Sequence, residues 1–200
     1  MSNPIQPIDT IAPATGAEQK ENKSQAQLDF EEGRGYVERG EATMAAVSLH
    51  NALRGFEQAG DQVGIANASN QLGHVCLLQK QYDKAVLHYR RAWDICQEQG
   101  DGMSLLTLSR QFVEVHKGKG DYRAALDQCL DLLDSYQRNN NPKGSVEMLE
   151  QMADIYILAK EPGKAADALR TAASIHANFG HSNIAEGLRR RANELAAQVE

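Results

Sequence analysis

The sequence contains little proline, few aromatic side chains and no long apolar run. Only five of its 200 residues are proline, three of them at Pro4, Pro7 and Pro13, and aromatic residues make up 6%. Because all-β proteins need many turns and proline interrupts helices, this distribution favours long helices over a β-rich fold. No window approaches the ~18 apolar residues of a transmembrane helix, and the mean hydropathy is −0.52. The composition therefore predicts a water-soluble helical chain that does not span a membrane.

Cysteine is also scarce, and basic side chains are fewer than acidic ones, which limits the classes of site and partner. Cys76, Cys96 and Cys129 are odd in number and show no C-x-x-C spacing, so we predict buried thiols in a reducing compartment rather than disulfides or zinc. The segment after Met1 lacks the features of a secretory signal, which predicts a cytoplasmic location. The net charge of −6 disfavours nucleic acid and anionic membranes as partners.

Motifs that would carry catalysis, a cofactor or a metal are missing from the sequence. No serine or cysteine lies in a nucleophile motif. The glycine-rich stretches Gly33-Arg34-Gly35 and Gly118-Lys119-Gly120 lack both the spacing of a phosphate-binding loop and a preceding strand. The six histidines show no pairing suited to zinc. We therefore predict no catalytic residue, no cofactor and no metal, although an enzyme with an unrecognised site stays a minor alternative.

The first part of the chain differs from the rest in composition. Residues 1–21 mix Pro, Thr, Ala, Gln and Asn with few large apolar groups, which predicts a disordered N-terminal tail. Ile5, Ile8 and Ile11 recur every third residue, so a short docking peptide within the tail is an alternative. The plain tail is favoured because Pro7 and Pro13 interrupt any helix there.

After the tail the sequence repeats with a period of forty residues. Pairs of turn-forming residues recur at this interval, namely Gly60-Asp61, Gly100-Asp101, Asn140-Asn141 and Gly180-His181. They divide the chain into four blocks, 22–61, 62–101, 102–141 and 142–181. A second break near the middle of each block predicts a helical hairpin. Residues 182–200 carry one apolar face, which predicts a polar-backed C-terminal capping helix.

Small residues recur in fixed columns of the blocks. One column is Ala45, Ala85, Ala125 and Ala165; two others are Gly33, Gly73, Val113 and Ala153, and Ala52, Ala92, Leu132 and Ala172. Positions that mostly accept little more than a methyl group indicate close approach of two helices. The single tryptophan of the sequence, Trp93 in the second block, is interpreted as a packing residue between repeats.

The second block resembles the tetratricopeptide repeat family. Leu72-Gly73 matches the first-helix motif of that family, and Ala85, Tyr89 and Ala92 match its second helix, while Cys76 replaces an aromatic residue. The resemblance covers about 22–181. The period of forty exceeds the usual one of about 34 residues and is similar to a long-helix subfamily. HEAT repeats are the alternative, which the small-residue columns and Gly-Asp turns disfavour.

The resemblance implies an all-α fold, a right-handed α-solenoid of four helical hairpins whose first helices line a concave groove. Carried onto this sequence, the partner-binding positions combine amides, which suit a peptide backbone, with charges that run from basic to acidic along the array. The predicted groove residues are Arg34, Asn67, Asn70, Gln71, His74, Arg110, Gln111, Glu114, Glu147, Glu150 and Asp154.

These features predict a non-enzymatic adaptor that binds a protein or peptide segment in the groove. The alternative is a regulatory or assembly subunit that self-associates, or docks through its outer face and last helix, so a homo-oligomer stays open. RNA binding by Arg189, Arg190 and Arg191 is disfavoured because Glu186 and Glu194 bracket this run. The sequence does not identify the partner.

Overall fold

A computed structural model describes residues 23–197, and within that range the chain forms nine α-helices and no strand. The predicted tail, with its possible docking peptide, lies outside the described residues. The predicted all-α fold is confirmed. The helices are α1 Gln25–Glu38, α2 Ala42–Ala59, α3 Gln62–Leu78, α4 Tyr82–Gln99, α5 Gly102–Lys119, α6 Tyr122–Arg138, α7 Pro142–Leu158, α8 Pro162–Asn178 and α9 Ser182–Ala196.

The helices end at turns that recur every twenty residues. A residue with positive φ lies at each of these turns, and the set is Gly40, Gly60, Lys80, Gly100, Gly120, Asn140, Lys160 and Gly180. Glycine occupies five of the eight turns because it adopts this conformation without a steric penalty. Two helices therefore lie within each block of forty residues, as the helical-hairpin interpretation expects.

The Gly-Asp pairs perform two separate tasks at the turns between hairpins. Gly60 ends α2 in the left-handed conformation (φ 69°), and the Asp61 side chain then accepts a hydrogen bond from the backbone N of Gly64 at 2.9 Å. Asp101 and Asn141 cap α5 and α7 in the same way. Each pair thus satisfies backbone groups at the end of one helix and the start of the next.

The small-residue columns mark places where helices approach closely. All four alanines of the first column, Ala45, Ala85, Ala125 and Ala165, are fully buried. A Cβ added at Gly73 would lie 2.6 Å from the ring of Tyr89, which is itself fully buried. Gly73 has no room for a side chain because Tyr89, from the second helix of the same hairpin, occupies the space.

The hydrophobic core is distributed along a stack of helices. Each helix packs on its neighbours in sequence, and α3 also touches α1 and α5. One cluster of buried side chains extends from α1 to α5, and further clusters join α5 to α7 and α7 to α9. The ring of Trp93 meets that of Phe112 edge-on at 6.0 Å, across the boundary of two repeats, as predicted. The architecture is an α-solenoid with nearest-neighbour packing.

The last helix covers the end of the stack. Its buried residues Ala185, Ala192 and Leu195 form its packed face, and the helix packs on α8. The three cysteines are buried thiols, as predicted. Among the described helices, none combines the length and apolar character needed to cross a membrane.

Candidate binding groove on the first helices

The predicted groove residues lie on α1, α3, α5 and α7, the first helices of the hairpins. Three glutamines, Gln71, Gln111 and Gln151, occupy the same position in successive repeats and are half-buried. The Tyr89 hydroxyl donates a hydrogen bond to Oε1 of Gln111 at 3.3 Å, from one repeat to the next. The Gln111 amide is therefore held by a contact from the preceding repeat while its side chain stays partly exposed.

Polar side chains join successive first helices at a constant offset of 37 residues. Arg110 on α5 pairs with Glu147 on α7, and the Gln151 amide donates to the Glu114 carboxylate. Arg191 on α9 donates to the Asp154 carboxylate at 2.8 Å. These contacts bring together residues of α5, α7 and α9 that the sequence separates by a whole repeat. Four of the six predicted groove residues of α5 and α7 thus take part in these polar contacts between helices of neighbouring repeats.

The predicted change from basic to acidic side chains along the array does not correspond to a change in unpaired charge. The predicted residues of the fourth repeat include no basic side chain, but Glu147 pairs with Arg110 of α5 and Asp154 pairs with Arg191 of α9. The reason is that partners come from neighbouring repeats, whereas the prediction compared charges within one block. Among the ion pairs of residues 23–197, none includes Glu150.

Three cavities lie at successive junctions of the repeats. The first, of about 80 Å³, includes Asn67, Asn70 and Thr107 in its wall. The second, of about 260 Å³, is lined in part by Arg110 and Glu147. In each of these two the wall combines one first helix, the end of a second helix, and the next first helix.

The third cavity is the largest of the three, about 400 Å³, and lies between α7 and α8. Val146, Glu147 and Glu150 line it from α7, and Ile175 and Phe179 line it from the end of α8. Five predicted groove residues therefore line the three cavities. Arg34, exposed on α1 and 3.9 Å from Glu38, lines none of them.

Sequence analysis missed Ile175 and Phe179, because it sought binding residues only on the first helices. Phe179 has 59% of its surface exposed, immediately before the turn at Gly180. The sequence did offer a signal, namely a large aromatic residue next to a turn glycine and outside the apolar stripe of α8.

The three thiols of the scaffold are buried in surroundings that disfavour the thiolate form. Burial raises the pKa of Cys129 to about 12 and also raises the pKa values of Cys76 and Cys96. A thiol that stays protonated at neutral pH packs as a small apolar group rather than acting as a nucleophile. The chemistry that these groove residues offer is therefore hydrogen bonding, ion pairing and apolar contact.

Solved structures with the same architecture are similar to this chain in fold but not in sequence. A putative kinesin light chain from Podosopora anserina, with nearly identical TPR-like repeats, superimposes with a TM-score of 0.67 at 15% identity, over 88% of this chain and 95% of the other. The apo form of RapI gives a TM-score of 0.63 at 18% identity, over 87% of this chain. BtubC (BKLC) from P. vanneervenii gives 0.54 at 15% identity, over 84% of this chain and 78% of the other.

The likenesses show that the chain has a TPR-like solenoid fold, as the sequence resemblance implied. The chain spans about half of RapI, 54% of its length. Comparison with protein-family models and with curated proteins finds no match.

Proposed function

We propose that this TPR-like solenoid is a non-enzymatic, cytoplasmic adaptor that binds a peptide segment or a partner helix along its first helices. Proteins with TPR-like repeats are the structural neighbours of the chain, which supports a protein-interaction scaffold. The observation that carries the peptide-binding proposal is the row of cavities lined by Asn70, Arg110 and Glu150, which occupy equivalent positions of successive repeats.

A peptide along this face meets both the amides and the charged pairs. Side-chain amides donate and accept, so Asn67, Asn70 and Gln71 match the alternating groups of an extended backbone. Half-exposed ion pairs such as Arg110–Glu147 contribute little stability of their own. Their partners can therefore exchange for charges of a ligand at small cost, and this exchange favours orientation and association rate over raw affinity.

The test is selection of random dodecapeptides displayed on phage against the full chain, followed by binding titrations of enriched peptides. We expect the double variant Asn70→Ala, Arg110→Ala to weaken their binding by about tenfold or more, because both side chains line the groove. The matched control is Arg90→Ala, Asp94→Ala, two exposed residues of the second helix α4.

Circular dichroism of both variants should match that of the unmodified chain, since none of the four side chains is buried. Equal loss of affinity in the groove and control variants contradicts the groove proposal. So does a selection that enriches no peptide binding the first helices.

A second candidate function is association through the outer face of the second helices. Met44, Val47 and Leu87 are 48%, 55% and 71% exposed, respectively, and Val47 and Leu87 occupy equivalent positions of α2 and α4. These two helices lie side by side here, since the rings of His50 and His88 are 5.9 Å apart. Exposed apolar groups in adjacent repeats suit a second copy or another protein.

Light scattering at rising protein concentration tests the second candidate. Self-association through this face predicts a molar mass that increases with concentration and that the Leu87→Glu variant keeps at the monomer value. A monomer at all concentrations excludes self-association and leaves the groove proposal intact.

A further inference from the structure

The cavity between α7 and α8, the last-junction pocket, differs from the two earlier cavities in its walls. Val146, Ile175 and the half-exposed Phe179 give it an apolar interior. The two earlier cavities are also lined from the following first helix, by Thr107 in one and by Glu147 in the other. No residue of α9 itself is among the described lining residues of the last-junction pocket.

One reason for the opening is the loss of an aromatic contact. At the preceding junction the ring of Tyr136 lies where a Cβ added to Gly144 would be 2.5 Å away, so the ring packs directly on the backbone of α7. Forty residues later, His176 replaces the tyrosine and Ile184 replaces the glycine. The His176 ring lies instead beside His181, with Nδ1 atoms 3.2 Å apart. No ring fills the last junction in the way that Tyr136 fills the previous one.

A second reason is the glycine at position 187. Gly187 lies forty residues after Glu147, at the position from which Thr107 and Glu147 line the earlier cavities. A Cβ added at Gly187 would meet nothing within 4 Å. Position 187 is also the 37-residue counterpart of Glu150, by the offset that pairs Arg110 with Glu147. The glycine therefore leaves Glu150 without the partner that this register supplies elsewhere.

We infer that the last-junction pocket anchors a peptide segment that inserts one large apolar side chain, leucine or phenylalanine, and places an adjacent lysine or arginine against Glu150. The inference rests on the proposed function and names the ligand class of one part of the groove. A cavity of about 400 Å³ is within the range of sites that bind apolar groups. Its apolar wall offers Val146, Ile175 and Phe179 to the inserted side chain.

The charges around the pocket orient the segment. Glu147 is already engaged by Arg110, so Glu150 is the lining carboxylate without an ion pair in the described chain. Lys143 lies seven residues earlier on α7, about 10 Å away along the helix axis. The cationic residue of the ligand is therefore placed at the Glu150 end, and an acidic residue is tolerated at the Lys143 end.

The experiment uses the full chain and the displayed dodecapeptide library described above. Peptides selected on the unmodified chain should be enriched in leucine or phenylalanine followed by lysine or arginine. We expect Phe179→Ala and Glu150→Lys each to weaken binding of these peptides by about tenfold. Leu158→Ala and Glu186→Lys are the matched controls, because both residues are exposed and neither lines the pocket.

Exchanging the charges of the protein and the peptide gives a result that misfolding of the variant cannot produce. Peptides in which the cationic residue is replaced by glutamate should bind Glu150→Lys better than they bind the unmodified chain. If Asn70→Ala, Arg110→Ala weakens binding while Phe179→Ala and Glu150→Lys leave it unchanged, the anchor is overturned and the groove proposal stands. If the groove variant also leaves binding unchanged, the proposed function fails with it.

Discussion

Two junctions of the molecule have the same register but different side chains. One lies between the third and fourth repeats, and the other lies between the fourth repeat and α9. At the former, Tyr136 packs on Gly144 and Arg110 pairs with Glu147. At the latter, Ile184 occupies the position equivalent to Gly144, and Arg191 donates to Asp154. The first junction holds an aromatic ring, two polar bridges and a cavity of about 260 Å³, whereas the second keeps one polar bridge, among the described residues, and a cavity of about 400 Å³.

The difference shows how a repeat array acquires a local site. Because each repeat contacts only its neighbours, a substitution at one junction changes that junction and leaves the others intact. At the last junction His176 stands in place of an aromatic residue and Gly187 in place of a lining side chain, and the cavity beside α7 is about 400 Å³ there rather than about 260 Å³. The site arises from omitted side chains, which the regular repeats elsewhere supply.

The largest expected effect comes from two glycine-to-alanine changes, one at each of the two junctions. Gly144→Ala should lower the free energy of unfolding by about 1–3 kcal/mol, because its Cβ overlaps the ring of the buried Tyr136. Gly187→Ala should raise it by up to about 1 kcal/mol, because alanine is the better helix former and its Cβ meets open space. Urea unfolding followed by circular dichroism measures both.

The comparison requires that the two variants change the free energy of unfolding in opposite directions. Equal destabilisation by both changes would mean that the last junction is packed as tightly as the previous one, and the proposed pocket would lose its basis.

A smaller effect is expected in the polar bridges of the two junctions. Double-mutant cycles with alanine at Arg110 and Glu147 should give a coupling energy of about 0.5–1 kcal/mol, since the two side chains are 39% and 38% exposed. The pair Asp154–Arg191 is 56% and 47% exposed and should couple more weakly, because solvent screens it more. Thermal unfolding at low and high salt measures both couplings, which salt should reduce.

A coupling for Asp154–Arg191 that equals or exceeds that of Arg110–Glu147 would contradict the ranking. It would show that the last junction is held by polar contacts as firmly as the previous one.

The helices, the turns and the close-packed columns were predictable because they depend on local chemistry. A Gly-Asp pair ends one helix and caps the next wherever it occurs, as Gly60 and Asp61 do. An alanine that recurs at the same position of each repeat, such as Ala85, indicates a helix contact without naming the partner. The groove positions on α3, α5 and α7 were carried over from a family resemblance. The binding role of these positions is still a prediction.

The pairing of charged side chains in the groove depended on tertiary packing, and so did the cavity at its last junction. Which residue of one repeat meets which residue of the next is set by the stagger of neighbouring first helices, an offset of 37 rather than forty. That offset pairs Arg110 with Glu147 and leaves Glu150 opposite Gly187. Period and composition therefore determined a row of helical hairpins, because turns and helix contacts are encoded within one repeat, and the family resemblance implied that they stack into an α-solenoid. Only the packing between repeats decided where its surface is neutralised and where it stays open.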